Sequence, residues 1–316
     1  MKTITVVVLL AISLQAQSSQ SDQKTLNNKQ KVLWGKLESQ IDQVDRDLDG
    51  VMGIAIEDLN SGQRFYLRED EVFPQASVIK VAVLAELYHQ HQQSLQGLPG
   101  KAKLTDTYTV QASDLVADSS IIGGLTPGIS KITNRDLATM VAAVSDNSAA
   151  NVLIDRLGMD NVNALLDKLG LPRTRLRRKM MDLKAASEGR ENVSTPREML
   201  SLLEQIYQGK VVDKDLTTDF TKVLSTHKDS WIARDLPEGL LVADKTGSLE
   251  GVRNDCGIVL VPNRPYVVCI MTTYLNKERD GEEAITRISR TAYSIFDRMA
   301  RASEYGRVVS PNDSSH

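Results

Sequence analysis

Strand-like patterning in this chain of 316 residues is confined to its two ends. Val51–Leu59 and Gln63–Leu67 read as strands joined by the turn Asn60-Ser61-Gly62, and no further strand pattern follows until Leu240. Leu241–Asp244, Cys256–Val261 and Tyr266–Met271 then supply three more. From about Pro74 to Gln208 the pattern is helical. Ser77–Tyr88 is apolar and alanine-rich, and Asn134–Val144 carries Leu137, Met140 and Val141 at helical steps. Asn147–Leu157 continues that pattern, and Thr195-Pro196 starts a helix through Ile206, with threonine as cap and proline in the first turn. Two amphipathic segments bracket the whole. Val32–Leu48 spaces Leu33, Leu37, Ile41, Val44 and Leu48 by three and four, and Glu283–Ala300 does the same with Ile285, Ile288, Ala292, Ile295, Phe296 and Met299. A sheet assembled from both ends of a chain must hold its middle as an insertion. The expected fold is therefore α/β in the α+β sense: a five-stranded antiparallel sheet flanked by the N- and C-terminal helices, with an inserted all-α lobe. Residues 31–72 and 231–305 make the α/β lobe and 73–230 the all-α lobe of one domain spanning 31–305.

The termini fall outside that domain. Met1-Lys2-Thr3 precedes an apolar run, Ile4–Leu14, which has the length of a signal-peptide core and is too short to span a bilayer. Ala16 and Ser18 offer small residues for cleavage, so 1–18 is expected to be a signal peptide; an uncleaved anchor is the alternative. Residues 19–30 read as a flexible lead-in and 306–316 as a flexible tail. No cysteine lies near the cleavage point to carry a lipid. Export to the periplasm or medium implies an oxidising compartment. Cys256 and Cys269 lie on neighbouring strands joined by Pro262-Asn263-Arg264-Pro265, where they either form a cross-strand disulfide or stay as two buried thiols.

Composition narrows the function. A net charge of −3 and 4% aromatic residues exclude a basic or base-stacking nucleic-acid binder. His89 and His91 have no metal-site spacing around them and read as solvated surface, so no metal or cofactor is expected. A small molecule is the expected partner, and a monomer the expected state.

Three short signatures carry the chemistry: Ser77-Val78-Ile79-Lys80, Ser145-Asp146-Asn147 and Lys245-Thr246-Gly247-Ser248. Alone they read as a helix start, a helix cap and a turn. Together, in this order and widely separated, they describe a site between the lobes. A serine hydroxyl is a poor nucleophile until a base takes its proton. Positions i and i+3 of a helix are neighbours, so Lys80 reaches toward Ser77. Burial lowers a lysine's pKa and leaves part of it as neutral amine. A helix beginning at Ser77 also aims free N–H groups at a developing oxyanion. Ser145 is placed to hand a proton to a leaving nitrogen, and Asn147 to bind a substrate carbonyl or the lysine. Lys245 offers a cation for a carboxylate and Thr246 a hydroxyl, and Gly247 lets the strand edge approach a ligand. Arg253 is a second cation a few residues on.

On these motifs the chain resembles the class A β-lactamase family over about Lys31 to Met299. Asp114-Leu115-Val116, Ser148-Ala149-Ala150-Asn151 and Thr174-Arg175-Leu176 fall where that family has similar stretches. The resemblance implies the same two-lobed fold and a serine hydrolase that opens the β-lactam amide through an acyl-enzyme. It implies Ser77 as nucleophile, Lys80 as a base, Ser145 as proton shuttle, and Lys245 with Arg253 as the carboxylate site. The N–H groups of Ser77 and Ser248 would form the oxyanion hole. Val110 stands where many members have an aromatic gatekeeper.

The family's omega loop supplies a glutamate and, four residues on, an asparagine that hold the deacylating water. Here the loop reads Arg175-Leu176-Arg177-Arg178-Lys179-Met180-Met181-Asp182-Leu183-Lys184, which puts Met180 and Lys184 at those two places. The loop's stabilising Arg–Asp pair becomes Arg178 with Asn192. Asp182, Glu188 and Glu191 are the carboxylates within reach, with Asp182 expected to serve as the catalytic substitute. The readings are a divergent β-lactamase, a D-alanyl-D-alanine carboxypeptidase acting on peptidoglycan, or a penicillin-binding protein that stays acylated.

Overall fold

The structure is a computed structural model that describes residues 26–308. The expected signal peptide and residues 309–316 of the expected tail lie outside the described residues. In chain order the elements are α1 (Asn28–Asp47), β1 (Val51–Asp58), β2 (Arg64–Leu67), β3 (Phe73–Pro74), α2 (Lys80–Leu95), β4 (Thr107–Thr109), β5 (Lys131–Thr133), α3 (Asn134–Val144), α4 (Asn147–Leu157), α5 (Met159–Lys168), α6 (Leu183–Ser187), β6 (Val193–Ser194), α7 (Pro196–Tyr207), α8 (Lys214–Leu224), β7 (Val242–Leu249), β8 (Val252–Val259), β9 (Tyr266–Thr273) and α9 (Glu278–Arg301).

The main sheet has five strands in the order β2-β1-β9-β8-β7, every pairing antiparallel. The first and last stretches of the domain thus meet at its centre, where β1 runs beside β9. Side chains alternate across β1: Met52, Ile54 and Ile56 face α1 and α9, whose Trp34, Leu37, Ile41, Ile288, Ile295 and Phe296 close that core. Tyr266 of β9 stacks on Phe296 at 4.1 Å between ring centroids. On the opposite face Ala55, Cys256, Ile258, Val267, Cys269 and Met271 join one continuous core with α2, α3, α4 and α7. Gly53 makes that contact possible, because a Cβ there would sit 2.6 Å from the Phe73 ring and 2.8 Å from Pro196. The insertion is therefore more than a second lobe: it also covers the sheet's other face.

Local chemistry accounts for the ends of the elements. Asn27 and Gln30 form a reciprocal capping box on α1, and Thr133 with Asp136 does the same for α3. Thr195 caps α7, with Pro196 in its first turn. Cys256 and Cys269 are register partners on β8 and β9 and are joined as a disulfide, with Cα atoms 4.0 Å apart. Among the described residues no helix is long and apolar enough to cross a membrane.

Candidate active site

Ser77 lies where the two lobes meet, in a 3₁₀ turn spanning Ala76–Ile79. The α-helix expected to begin at the serine begins instead at Lys80. The tighter turn leaves Ser77 half-buried on the cleft side while Val78 and Ile79 are fully buried. Edge strand β7 packs against this turn. A Cβ on Gly247 would stand 2.8 Å from the Gln75 carbonyl oxygen and 3.0 Å from the Ser77 amide nitrogen, so only glycine permits the approach. Thr246 and Ser248 flank it and line the same cleft as Ser77. Ser77 and Ser248, which belong to separate elements, thus line one cleft.

Lys80 sits fully buried behind the serine turn. Its Nζ donates to the Ser145 carbonyl at 2.6 Å, to Ser145 Oγ at 3.1 Å and to Asn147 Oδ1 at 2.7 Å. Those three acceptors account for the three N–H bonds of an ammonium. Burial drives its pKa well below the ordinary lysine value, and the charge of Lys245 pushes the same way against Asp146 and Asp118. Ser145 closes α3 in the left-handed region, at φ 56°, and this turn presents both its carbonyl and its hydroxyl to Lys80. Asp146 is structural. Its carboxylate accepts from the Ala149, Ile121 and Ile122 amides and so caps α4 while pinning the loop before it. Asn147 donates from Nδ2 to the Ala117 carbonyl and from its backbone to the Asp118 carbonyl, which fixes the cleft's rim.

Lys245 is also buried, its Nζ donating to the Thr246 carbonyl at 2.8 Å. Burial lowers its pKa to about 8, opposed by Asp244 and Asp255 and assisted by Lys228. It is therefore a cation at neutral pH that loses its charge just above it. The cleft has a volume of about 420 Å³ and is lined by Ser77, Ser145, Asn147, Thr246 and Ser248, while Lys80 and Lys245 lie buried behind that lining. No group of His, Cys, Asp or Glu suited to a metal occurs among the described residues.

Four expectations need correction. Arg253 pairs in register with Ser248, yet its guanidinium turns toward α9. Nε donates to Glu282 at 3.0 Å, and Nη1 donates to the Leu249 and Val252 carbonyls. Glu278 and Glu282 at the start of α9 draw it there, and it does not line the cleft. Asp182 is exposed and caps α6 by accepting from the Ala185 amide at 2.9 Å; it does not line the cleft either. Val110 is fully buried in the core, so the rim is formed instead by Asp118 and Ser120. The omega-loop clamp is not lost. Arg178 donates to Glu191 at 2.7 and 3.1 Å, while Asn192 Oδ1 accepts from the Arg177 and Arg178 amides.

The loop itself places Met180 in the cleft, nearly buried. Asn151 holds it from both sides, accepting from the Met180 amide at 2.8 Å and donating to its carbonyl at 3.0 Å. Lys184 is exposed on α6, away from the cleft lining. Glu188 is bound to Arg190, and Glu191 to Arg178. The loop therefore offers the cleft a thioether where a proton acceptor was sought. Asn151, Glu191 and Asp118 were not assigned roles from sequence. Asn151 alone had a local signal, four residues after Asn147 on the same helix face.

Known proteins resemble this chain in sequence and fold. The model of a family described as a β-lactamase enzyme family matches residues 36–296. The β-lactamase SME-1 of Serratia marcescens is 29% identical over 272 residues, covering 82% of this chain and 88% of that protein. An ancestral class A β-lactamase (GNCA) superposes with a TM-score of 0.74 at 27% identity, over 82% of this chain and all of that one. The structure of PBP-A superposes at 0.73 with 26% identity, over 83% and 96%.

Proposed function

Since the chain belongs to the class A β-lactamase family, we propose that it hydrolyses the amide of β-lactams through an acyl-enzyme on Ser77. The observation that carries this assignment is Lys80: a buried amine, depressed in basicity, bonded to Ser145 Oγ and Asn147 Oδ1 directly behind the serine turn. Neutral Lys80 takes the Ser77 proton as Oγ attacks the carbonyl carbon of the lactam. The oxyanion that forms is met by the amides of Ser77 and Ser248. As the carbon–nitrogen bond breaks, the proton passes from Lys80 through Ser145 Oγ to the leaving nitrogen. The product is a serine ester with the ring opened. Lys245 and Thr246 hold the substrate's carboxylate, and Asn147 its amide carbonyl.

Deacylation requires a base for water. Met180 cannot accept a proton at neutral pH, and Lys80 becomes neutral again once its proton has gone to nitrogen. Lys80 is therefore the group left to activate the water, and turnover is slow. The enzyme acts as one catalytic domain of residues 31–305. It works as a monomer in the periplasm or medium after loss of residues 1–18, a reading supported by the apolar run Ile4–Leu14 and the Cys256–Cys269 disulfide.

The test is intact-mass spectrometry after brief and long exposure to penicillin G, with the penicilloate product assayed in parallel. An adduct that decays while product accumulates is expected, and Ser77→Ala should give neither. An adduct on the Ser77→Ala protein overturns the assignment of the nucleophile. A stable adduct with no product overturns hydrolysis.

A further inference from the structure

Asp118 is the only carboxylate among the described residues lining the cleft, and it takes no hydrogen bond or ion pair there. The other acidic side chains nearby are engaged: Asp146 in its three amides, Glu191 with Arg178, and Asp114 with the Tyr108 hydroxyl. Asp118 is held in place by its backbone, not its side chain. Its carbonyl accepts from the Asn147 amide at 3.2 Å, and the carbonyl of the preceding Ala117 accepts from Asn147 Nδ2 at 3.2 Å. Its φ of 53° lies in the left-handed region, a conformation aspartate tolerates better than most residues. The residue that binds Lys80 therefore also sets the position of this carboxylate. Its charge acts on the site, opposing the fall in Lys80 basicity.

We infer that Asp118 is a specificity-determining residue that favours substrates whose acyl side chain carries a cation and disfavours those carrying an anion. The inference rests on the reading of this cleft as a β-lactam site and concerns its rim. On that reading Lys245 and Thr246 take the carboxylate that every β-lactam carries, and Asn147, whose backbone amide is bonded to the Asp118 carbonyl, takes the amide of the acyl side chain. A second charge on the acyl side chain meets Asp118, and no cation is bonded to that side chain to cancel it.

The experiment compares acylation rates for three penicillins that share one nucleus: ampicillin with an α-ammonium, carbenicillin with an α-carboxylate, and penicillin G with neither. Rates are taken at pH 6, where an α-amino group is protonated, and expressed relative to penicillin G so that shared losses cancel. An exposed charge contact is worth up to about fivefold in rate, so the ampicillin-to-carbenicillin ratio in the parent should reach about 10 to 25. Asp118→Asn should bring the ratio toward unity and Asp118→Lys should invert it. Raising the salt to about 1 M, where the screening length falls to about 3 Å, should shrink it in the parent. Acylation by penicillin G with the same ratio in all three proteins overturns the role of Asp118 alone. Failure of the parent to be acylated by any of the three overturns the β-lactam reading and this inference with it.

Discussion

Placing glutamate at Met180 tests what limits turnover. The site is prepared for it. The Met180 backbone is gripped by Asn151 through both its amide and its carbonyl, so the side chain leaves the loop from a fixed point. Methionine and glutamate are both unbranched and of similar reach, and Met180 already lines the cleft with Ser77. A positioned general base is worth about 10²–10⁴-fold, so deacylation should accelerate by at least about a hundredfold. Burial of the new carboxylate trims the gain. Met180 is only 6% exposed, and a carboxylate there is desolvated, which raises its pKa and leaves less of it ionised at neutral pH. The same burial should cost about 1–3 kcal/mol of stability, partly offset by the cationic Arg178 in the same cleft wall. The rate gain should therefore grow with pH until the new carboxylate is fully ionised.

The assay is decay of the penicillin G adduct after removal of free drug, with the formation rate measured separately. Formation should change little, because Met180 has no part in the attack of Ser77. Adding Lys184→Asn should contribute little, since Lys184 is exposed on α6 rather than in the cleft. A Met180→Glu protein that melts normally yet loses its adduct at the parent's rate would refute the reasoning. A parent that already clears penicillin rapidly would refute it from the other side.

Lys245, with its pKa lowered to about 8, should give KM for penicillins an upward break as pH rises through 8, because the cation facing the substrate's carboxylate is lost. Lys245→Arg keeps its charge and should remove the break; a flat KM to pH 10 in the parent sinks the assignment. Gly247→Ala should slow acylation by about 10²-fold, the usual cost of a lost oxyanion donor, because its Cβ would crowd the Ser77 amide; stopped-flow acylation at parental rate would contradict the close approach. Arg253→Ala should lower the melting temperature by about 2–8 °C, for about 1–2 kcal/mol of lost bonds to α9, and leave KM unchanged; a large rise in KM would return Arg253 to the carboxylate site.

Much of the fold was legible because it follows from short-range periodicity. The strands Val51–Asp58 and Tyr266–Thr273 were found within a residue or two, and Asn134–Val144 and Asn147–Leu157 to the residue. Two short helices escaped. Lys214–Leu224 buries only Thr217, Phe220, Val223 and Leu224, and Met159–Lys168 starts at a glycine with no side-chain cap. The expected contact of Arg178 with Asn192 is present through the Arg178 backbone, while the guanidinium's ion pair with the neighbouring Glu191 carries no local signal. Arg253 was misread. Its orientation is decided by acidic residues some thirty positions away on α9, which no local pattern reports.

The cleft's rim was hidden for a reason tied to its chemistry. Four of the seven described non-glycine residues with positive φ, namely Ala76, Asp118, Ser145 and Met181, line this one cleft. Each holds a backbone shape that a sequence would ordinarily mark with glycine, and none is glycine. Such conformations cost of order 1–3 kcal/mol each and persist only where the surroundings enforce them. Here the enforcing groups are visible: Lys80 on the Ser145 carbonyl, Asn147 on the Asp118 carbonyl, and Asn151 on both backbone groups of Met180 beside Met181. Local preference and global fold therefore disagree at the cleft, where the Ser145 hydroxyl and the Asp118 carboxylate need fixed positions. Reading residue by residue recovers the scaffold and the nucleophile's motif, but it misses a rim whose geometry is imposed from across the cleft.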